Sequence, residues 1–329
     1  MQIWRVSYPA GNLSRITNDS NDYSFFSLTA DASTLVTTQE SGHGEIWVAS
    51  SEMPEQGKRV TVVSGSKYEL MGGVDWTPEG NIVFASTESG NCDIWSMHRD
   101  GSKKTQITSD ISVDYLPRVS PKGKYILFYS NRAGFQDLWC FSMDDRRLKQ
   151  LTSNSIANGG DFTPDGESIM FSLASVLNPD SSVSSVTYKI PMAGGEPVKV
   201  WQDKSRPYFS PDGSKIAFTF WDDSTKAWLR AVMPFDETTP KTKIVSYLPY
   251  DPLDIAVRWS PDSQAMIFSK TESGVTNLWR QPLDGSSPEQ ITHFTEGEIW
   301  AFAYSHDGKY FAYTRGRTDS DAVMISNFR

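Results

Sequence analysis

Phe209-Ser210-Pro211-Asp212-Gly213-Ser214-Lys215-Ile216-Ala217-Phe218 holds an apolar strand end, a turn and an alternating strand within ten residues. Pro211 pre-sets the backbone for the first central position of a type I turn, and Asp212 suits the second. Gly213 can take the left-handed conformation that lets a hairpin continue. The stretch therefore reads as a short antiparallel hairpin. Near-copies stand at Trp76-Thr77-Pro78-Glu79-Gly80, Val119-Ser120-Pro121-Lys122-Gly123, Phe162-Thr163-Pro164-Asp165-Gly166, Trp259-Ser260-Pro261-Asp262-Ser263 and Tyr304-Ser305-His306-Asp307-Gly308. Leu28-Thr29-Ala30-Asp31-Ala32 is a worn copy. The equivalent turn positions 31, 79, 122, 165, 212, 262 and 307 lie 43 to 50 residues apart, so seven units share a period of about 46.

Each hairpin is followed by a third strand of Ile-Trp type: Glu45-Ile46-Trp47, Asp93-Ile94-Trp95, Asp137-Leu138-Trp139 and Asn277-Leu278-Trp279. A fourth short segment then ends in Gln106-Ile107-Thr108, Gln150-Leu151-Thr152 or Gln290-Ile291-Thr292. Four strands per repeat, repeated from end to end, imply one all-β domain over residues 1–329: a seven-bladed antiparallel β-propeller. Six and eight blades are the alternatives, because eight Ile-Trp-type segments accompany seven hairpins. Gln2 to Thr17 and Tyr304 to Asn327 are both incomplete repeats. A joint blade that combines them would remove free sheet edges. Either Ile3-Trp4-Arg5 or Val323-Met324-Ile325 then takes an irregular place. The Trp series at 47, 95, 139 and 279 recurs at one position of the repeat, which predicts a core role.

The 329 residues are 38% hydrophobic and 12% aromatic, enough for a real core. A net charge of −9, with no run of Lys or Arg beyond two, argues against nucleic acid and anionic membrane surfaces as partners. No apolar stretch approaches the roughly 20 residues of a membrane helix, so no membrane insertion is expected. Cys92 and Cys140 occupy non-equivalent positions and are expected to be free, buried thiols. Met1-Gln2-Ile3-Trp4 already lies inside the repeat pattern. A piece of a longer protein is expected, monomeric as a fragment, and its compartment is not readable.

Asp114-Tyr115-Leu116-Pro117-Arg118-Val119-Ser120-Pro121-Lys122-Gly123-Lys124, followed by Ser130-Asn131-Arg132-Ala133-Gly134, Asp137-Leu138-Trp139 and Gln150-Leu151-Thr152, resembles the TolB-type (WD-like) β-propeller repeat. The two chain ends resemble the C-terminal propeller half of large bacterial proteins that carry a serine/threonine kinase or a winged-helix DNA-binding domain. That likeness implies a regulatory sensor or docking module, and it is compatible with an extracytoplasmic or periplasmic setting. Neither kinase nor helix-turn-helix motifs occur here, so neither activity carries over.

On the first strands, the position between the two apolar ones is Asp75, Arg118, Asp161, Tyr208 or Arg258 in five of the repeats. Aligned strands would place these in a ring, either lining a channel for a charged ligand or pairing with one another. The aromatics Tyr23, Tyr115, Tyr208 and Trp300, with Arg206 and Asp254 nearby, would form a mouth suited to a peptide or sugar. The four histidines, His43, His98, His293 and His306, have no metal-ligand spacing. There is no nucleophile elbow, phosphate loop or ordered calcium loop. The expected function is a non-catalytic recognition or sensory module that binds a protein segment or small ligand at the channel mouth, without a cofactor. The rival is a propeller enzyme or accessory domain, acting on polysaccharide or gating a peptidase.

Overall fold

The Ser-Pro-Asp-Gly turns form as hairpins held by their own side chains. Ser210 N–H donates to Lys215 O at 2.9 Å, and Gly213 N–H donates to Ser210 O at 2.8 Å. Ser210 Oγ donates to Asp212 Oδ1 at 2.6 Å and accepts the Lys215 N–H at 2.9 Å. Gly213 is left-handed, with φ of 71°, and a Cβ there would lie 2.7 Å from Pro164 Cβ. The turn of one repeat thus rests on the proline of the repeat before it. Gly123 on Pro78 and Gly308 on Pro261 repeat this contact, each with 2.9 Å to the nearest proline carbon.

The computed structural model describes residues 3–18, 21–65, 73–153, 157–177, 183–235, 246–248 and 256–326. Five four-stranded antiparallel sheets follow one another in sequence. Sheet 1 is Val74–Trp76, Asn81–Ser86, Asp93–His98 and Thr105–Gln106. Sheet 2 is Asp114–Val119, Tyr125–Ser130, Asp137–Ser142 and Leu148–Gln150. Sheet 3 is Ala157–Phe162, Ser168–Leu177, Val183–Pro191 and Val198–Gln202. Sheet 4 is Lys204–Phe209, Lys215–Asp222, Ala227–Pro234 and Ser246–Leu248. Sheet 5 is Val257–Trp259, Ala265–Glu272, Val275–Pro282 and Glu289–Gln290.

The sixth sheet combines the two ends of the chain. Glu298–Tyr304 pairs with Tyr310–Ser326, which pairs with Thr34–Ser50, whose other edge takes Asp22–Leu28 and Lys58–Gly65. Each sheet touches the next, and the sixth returns to the first. There Trp76 Nε1 donates to Ala303 O at 3.1 Å, and the His306 ring, in place of a turn proline, bonds Trp76 O at 3.0 Å.

Seven separate four-stranded sheets are therefore not what the described residues form. The reason lies in the strands Thr34–Ser50 and Tyr310–Ser326, which run 17 residues each and pair in unbroken register from Thr34↔Ser326 to Ser50↔Tyr310. Glu40-Ser41-Gly42 lies extended inside the first of them. The same tripeptide turns the chain in sheet 1, where Gly90 N–H donates to Thr87 O at 2.9 Å, and it turns again at Glu272-Ser273-Gly274. A long partner strand overrides the local turn preference. Both irregular candidates of the sequence reading find places outside the repeat: among the described residues Trp4–Val6 pairs with Leu13–Arg15 alone, and Val323–Ile325 pairs with the first half of Thr34–Ser50.

Between neighbouring sheets lies the core. Ile46, Ile94, Leu138 and Leu278 are fully buried. The Trp series corrects the sequence expectation: Trp47, Trp95, Trp139 and Trp279 are half-buried and pack at the rims of those clusters. Strand alternation sends the Ile or Leu inward and the adjacent Trp to the opposite face. A cation lies near three of these rings: Lys104 at 5.7 Å from Trp95, Arg132 at 5.0 Å from Trp139 and Lys270 at 5.2 Å from Trp279.

The recurring Asp or Asn and the Gln-x-Thr end of the repeat form one device. Thr152 Oγ1 donates to the buried Asp137 Oδ1 at 2.9 Å and accepts the Leu138 N–H at 2.9 Å. Thr108 does the same for Asp93 and Ile94, and Thr292 for Asn277 and Leu278. The fourth strand is thereby tied to the third beyond its two or three ladder pairs. Thr152→Val keeps the volume but removes one hydrogen-bond donor from the buried Asp137 carboxylate, which Gln150 Nε2 also reaches at 3.3 Å, and the side-chain acceptor of the buried Leu138 N–H. We expect a loss of about 1–3 kcal/mol in urea unfolding. A change below 0.5 kcal/mol would contradict the role given to this threonine. Cys92 and Cys140 are buried thiols that no disulfide joins, as expected.

Candidate functional site

The first strand of a repeat does not run straight. Its ladder slips between Tyr115 and Arg118, between Ala157 and Gly160, and between Ser205 and Tyr208. Leu116, Gly159 and Arg206 are left-handed at these slips, with φ of 55°, 80° and 52°, and Gly73 takes φ of 93° at the equivalent place. Such bulges re-aim side chains at the rim of a sheet. Here they aim the residue two before each axial position toward the space enclosed by the sheets. At Gly159 only glycine fits, since a Cβ would lie 2.8 Å from Arg206 Cα.

Two cavities of about 270 Å³ each result. The one on the turn face is lined by Asp75, Asp161 and the turn residues Pro121, Pro164, Pro211 and His306. The one on the bulge face is lined by Leu116, Gly159, Arg206, Tyr129, Gln136 and Trp300, among others. Arg118, Tyr208 and Arg258 line both, so they form the layer where the two cavities meet. Four of the alternating first-strand charges, Asp75, Arg118, Asp161 and Arg258, and Tyr208 between them in sequence, do converge.

The carboxylates serve as staples between sheets. Asp75 Oδ2 accepts the Val119 N–H at 2.8 Å, from sheet 1 to sheet 2. Asp161 Oδ2 accepts the Phe209 N–H at 3.1 Å, from sheet 3 to sheet 4, while its Oδ1 accepts the Phe162 N–H at 2.9 Å. No ion pair within 4.0 Å joins these carboxylates to Arg118 or Arg258 among the described residues. Arg258 donates to Val257 O at 2.8 Å, and the Arg118 guanidinium lies 6.0 Å from the Tyr208 ring. Burial pulls the Arg258 guanidinium down, and the like charge of Arg118 adds to this. Burial pushes the Asp161 carboxyl up to about 6, although Arg118 and two backbone N–H groups favour its charged form and Asp75 opposes it.

That shift has a defined sign. Asp161 ionises near 3.8 when exposed and near 6 in the fold, so between these values the native state binds the extra proton. Stability from this group therefore falls as pH rises from about 4 to about 6. Asp161→Asn should remove that decline, and the difference between the two proteins' urea midpoints should change only across this window. Parallel pH profiles would refute the assignment.

The mouth residues of the sequence reading fare unevenly. Arg206 lines the bulge-face cavity, and Tyr208 lines both. Trp300 reaches the bulge-face cavity but is 1% exposed, with its indole N–H donated to Glu298 Oε2 at 3.0 Å. Its bulk belongs to the core between sheets 6 and 1. Tyr115 stacks on Tyr129 at 5.6 Å between ring centres, and Tyr129 is the one that lines the cavity, accepting the Gly159 N–H at 2.6 Å. Tyr23 packs with Ile3 and Leu35 in a separate cluster. Asp254 lies outside the described residues. Tyr129 and Gln136 were missed, because neither sits on a first strand. The glycines at 73 and 159, each two residues before an axial Asp, were the readable signal of the bulge.

Among the described residues no group of three or more His, Cys, Asp or Glu could hold a metal ion, and no helix is long and apolar enough to cross a membrane. Residues 56–176 match the TolB beta propeller domain. The match takes in the first two of the sequential four-stranded sheets and part of the third, and leaves the rest of the chain outside it. A TolB homolog of Chlorobium luteolum is 30% identical over 141 residues, which cover 42% of this chain and 31% of that protein. The aligned part thus spans about a third of this curated relative. A putative TolB from Agrobacterium tumefaciens has a similar structure, with a TM-score of 0.59 over 84% of this chain and 99% of that one at 17% identity. An oligogalacturonate lyase from Vibrio parahaemolyticus shares the fold at a TM-score of 0.51 and 12% identity, over 88% of this chain and 76% of its own. The TolB-type architecture therefore occurs in proteins of different function.

Proposed function

We propose that this chain is a non-catalytic recognition module: one propeller domain of six sheets in a closed ring, which binds the end of a protein segment or a small ligand in its axial channel. The observation that carries this reading is the meeting of two cavities at Arg118, Tyr208 and Arg258. Each is at the small end of ligand-site volumes, so it suits a side chain or a small molecule and not a folded domain. The rim that surrounds it is rigid, since bulge residues and inter-sheet hydrogen bonds fix its walls. In this reading a partner is captured by a preorganised ring, as befits a docking or sensory part of a larger bacterial protein outside the cytoplasm. The TolB relatives support the setting, and one of them is named as a Tol-Pal system protein.

A thermal-shift screen against short peptides, oligosaccharides and divalent cations tests this. A ligand that binds only the folded state at about a hundredfold excess over its Kd adds about 2.7 kcal/mol. We expect a shift with one ligand class, abolished by Arg206→Ala. Turnover of a peptide or glycan that disappears with Arg118→Ala would instead assign the channel to an enzyme.

A further inference from the structure

We propose that the bulge-face cavity is a carboxylate site, with Arg118 as the group that grips the ligand and Arg258 as the second positive charge behind it. The inference rests on the recognition reading above and names the chemistry of its ligand. Arg118 makes no hydrogen bond, and no ion pair within 4.0 Å, among the described residues; its guanidinium lies 6.0 Å from the Tyr208 ring and feels the charges of Asp161 and Arg258 only at longer range. A guanidinium carries five N–H donors in a fixed fork, and here that fork stands at the wall of two cavities. Arg258 satisfies one donor on Val257 O.

Charge is distributed unevenly along the channel. Both axial carboxylates, Asp75 and Asp161, line the turn-face cavity, and backbone N–H groups already occupy them. The bulge-face cavity has three arginines, Arg118, Arg206 and Arg258, and no Asp or Glu among its described lining residues. This pole is positive in a chain whose net charge is −9. The like charge of Arg118 disfavours the charged form of the buried Arg258, and an anion between the two would relieve that repulsion. A planar carboxylate matches the fork of Arg118 with two parallel hydrogen bonds. Tyr129, Tyr208 and Gln136 add polar groups to orient the rest of the ligand.

Of the peptide and sugar ligands suited to the channel mouth, an acidic peptide and a uronic acid sugar present such a group. The test is calorimetric titration of the whole chain with five probes: Gly-Gly-Ala-Glu amide, its Gln counterpart, trigalacturonate, its methyl ester and inorganic phosphate. We expect one of the two carboxylate probes to bind, its neutral partner (the Gln peptide, or the methyl ester of the sugar) to bind at least tenfold more weakly, and phosphate not to compete. Arg118→Ala should weaken binding at least tenfold. Arg118→Lys, which keeps the charge and loses the fork, should keep the melting temperature and still weaken binding severalfold. Binding of the Gln peptide equal to that of the Glu peptide would overturn the carboxylate assignment and leave the recognition site standing. Equal binding by Arg118→Lys, competition by phosphate at similar concentration, or no binding by either carboxylate probe would also overturn it.

Discussion

Trp76→Ala should lower the free energy of unfolding by about 3–5 kcal/mol, the range for removing a large aromatic from a packed core. Trp76 is fully buried in the cluster that joins sheet 1 to sheet 6, with Val74, Ile82, Phe84 and Met97 on one side and Trp300, Ala301, Ala303 and Ala312 on the other. It stacks against Tyr310 at 6.4 Å and donates its indole N–H to Ala303 O at 3.1 Å. Truncation therefore opens a cavity and leaves the Ala303 carbonyl without that donor at the contact where the last sheet meets the first. Trp76→Phe should cost less, because it keeps most of the ring volume and loses chiefly the hydrogen bond. Urea unfolding of both variants checks this. A loss below 1 kcal/mol for Trp76→Ala would mean that the contact between sheets 6 and 1 is not part of the cooperative fold.

Gly316→Ala should disrupt the sixth sheet by steric conflict alone, at a cost of about 1–3 kcal/mol if the strands can part and more if they cannot. Gly316 lies in the middle strand of that sheet, opposite Gly44 on one side and Glu298 on the other. A Cβ at this position would stand 1.9 Å from His43 O and 2.7 Å from Gly44 Cα, both backbone atoms that no side-chain rotation can clear. The long ribbon between Thr34–Ser50 and Tyr310–Ser326 must then separate locally. Hydrogen exchange should show it: amides of residues 317–326 lose protection, while those of sheets 2 to 5 keep it. Unchanged protection in the ribbon would contradict the pairing of these two strands.

Much of this protein follows from local chemistry. Pro211, Asp212 and Gly213 set a turn whatever surrounds them, because the preference resides in their own φ values and side-chain hydrogen bonds. Copies of that turn at one spacing then determine the hairpins, the four-strand repeat and the antiparallel sheets. The convergence of Asp75, Arg118, Asp161 and Arg258 was also readable, since equivalent positions of equivalent strands must face the same way.

The tertiary structure decided the rest, wherever the outcome depends on which strand becomes a neighbour. Glu40-Ser41-Gly42 carries the same turn preference as Glu88-Ser89-Gly90, yet pairing with residues 318–320 extends it. Phe26 and Leu28 occupy the repeat positions that are buried elsewhere as Val74 and Trp76, yet they are 56% and 55% exposed, because no further sheet packs against them among the described residues. Leu116 and Arg206 are left-handed although neither residue favours it, since the slip between two strands fixes their backbone. Turns and alternation are energies of a few adjacent residues, which the sequence by itself determined. Sheet number, bulge direction and the pairing of distant strands are energies of contact between remote segments, and only the folded arrangement sums them.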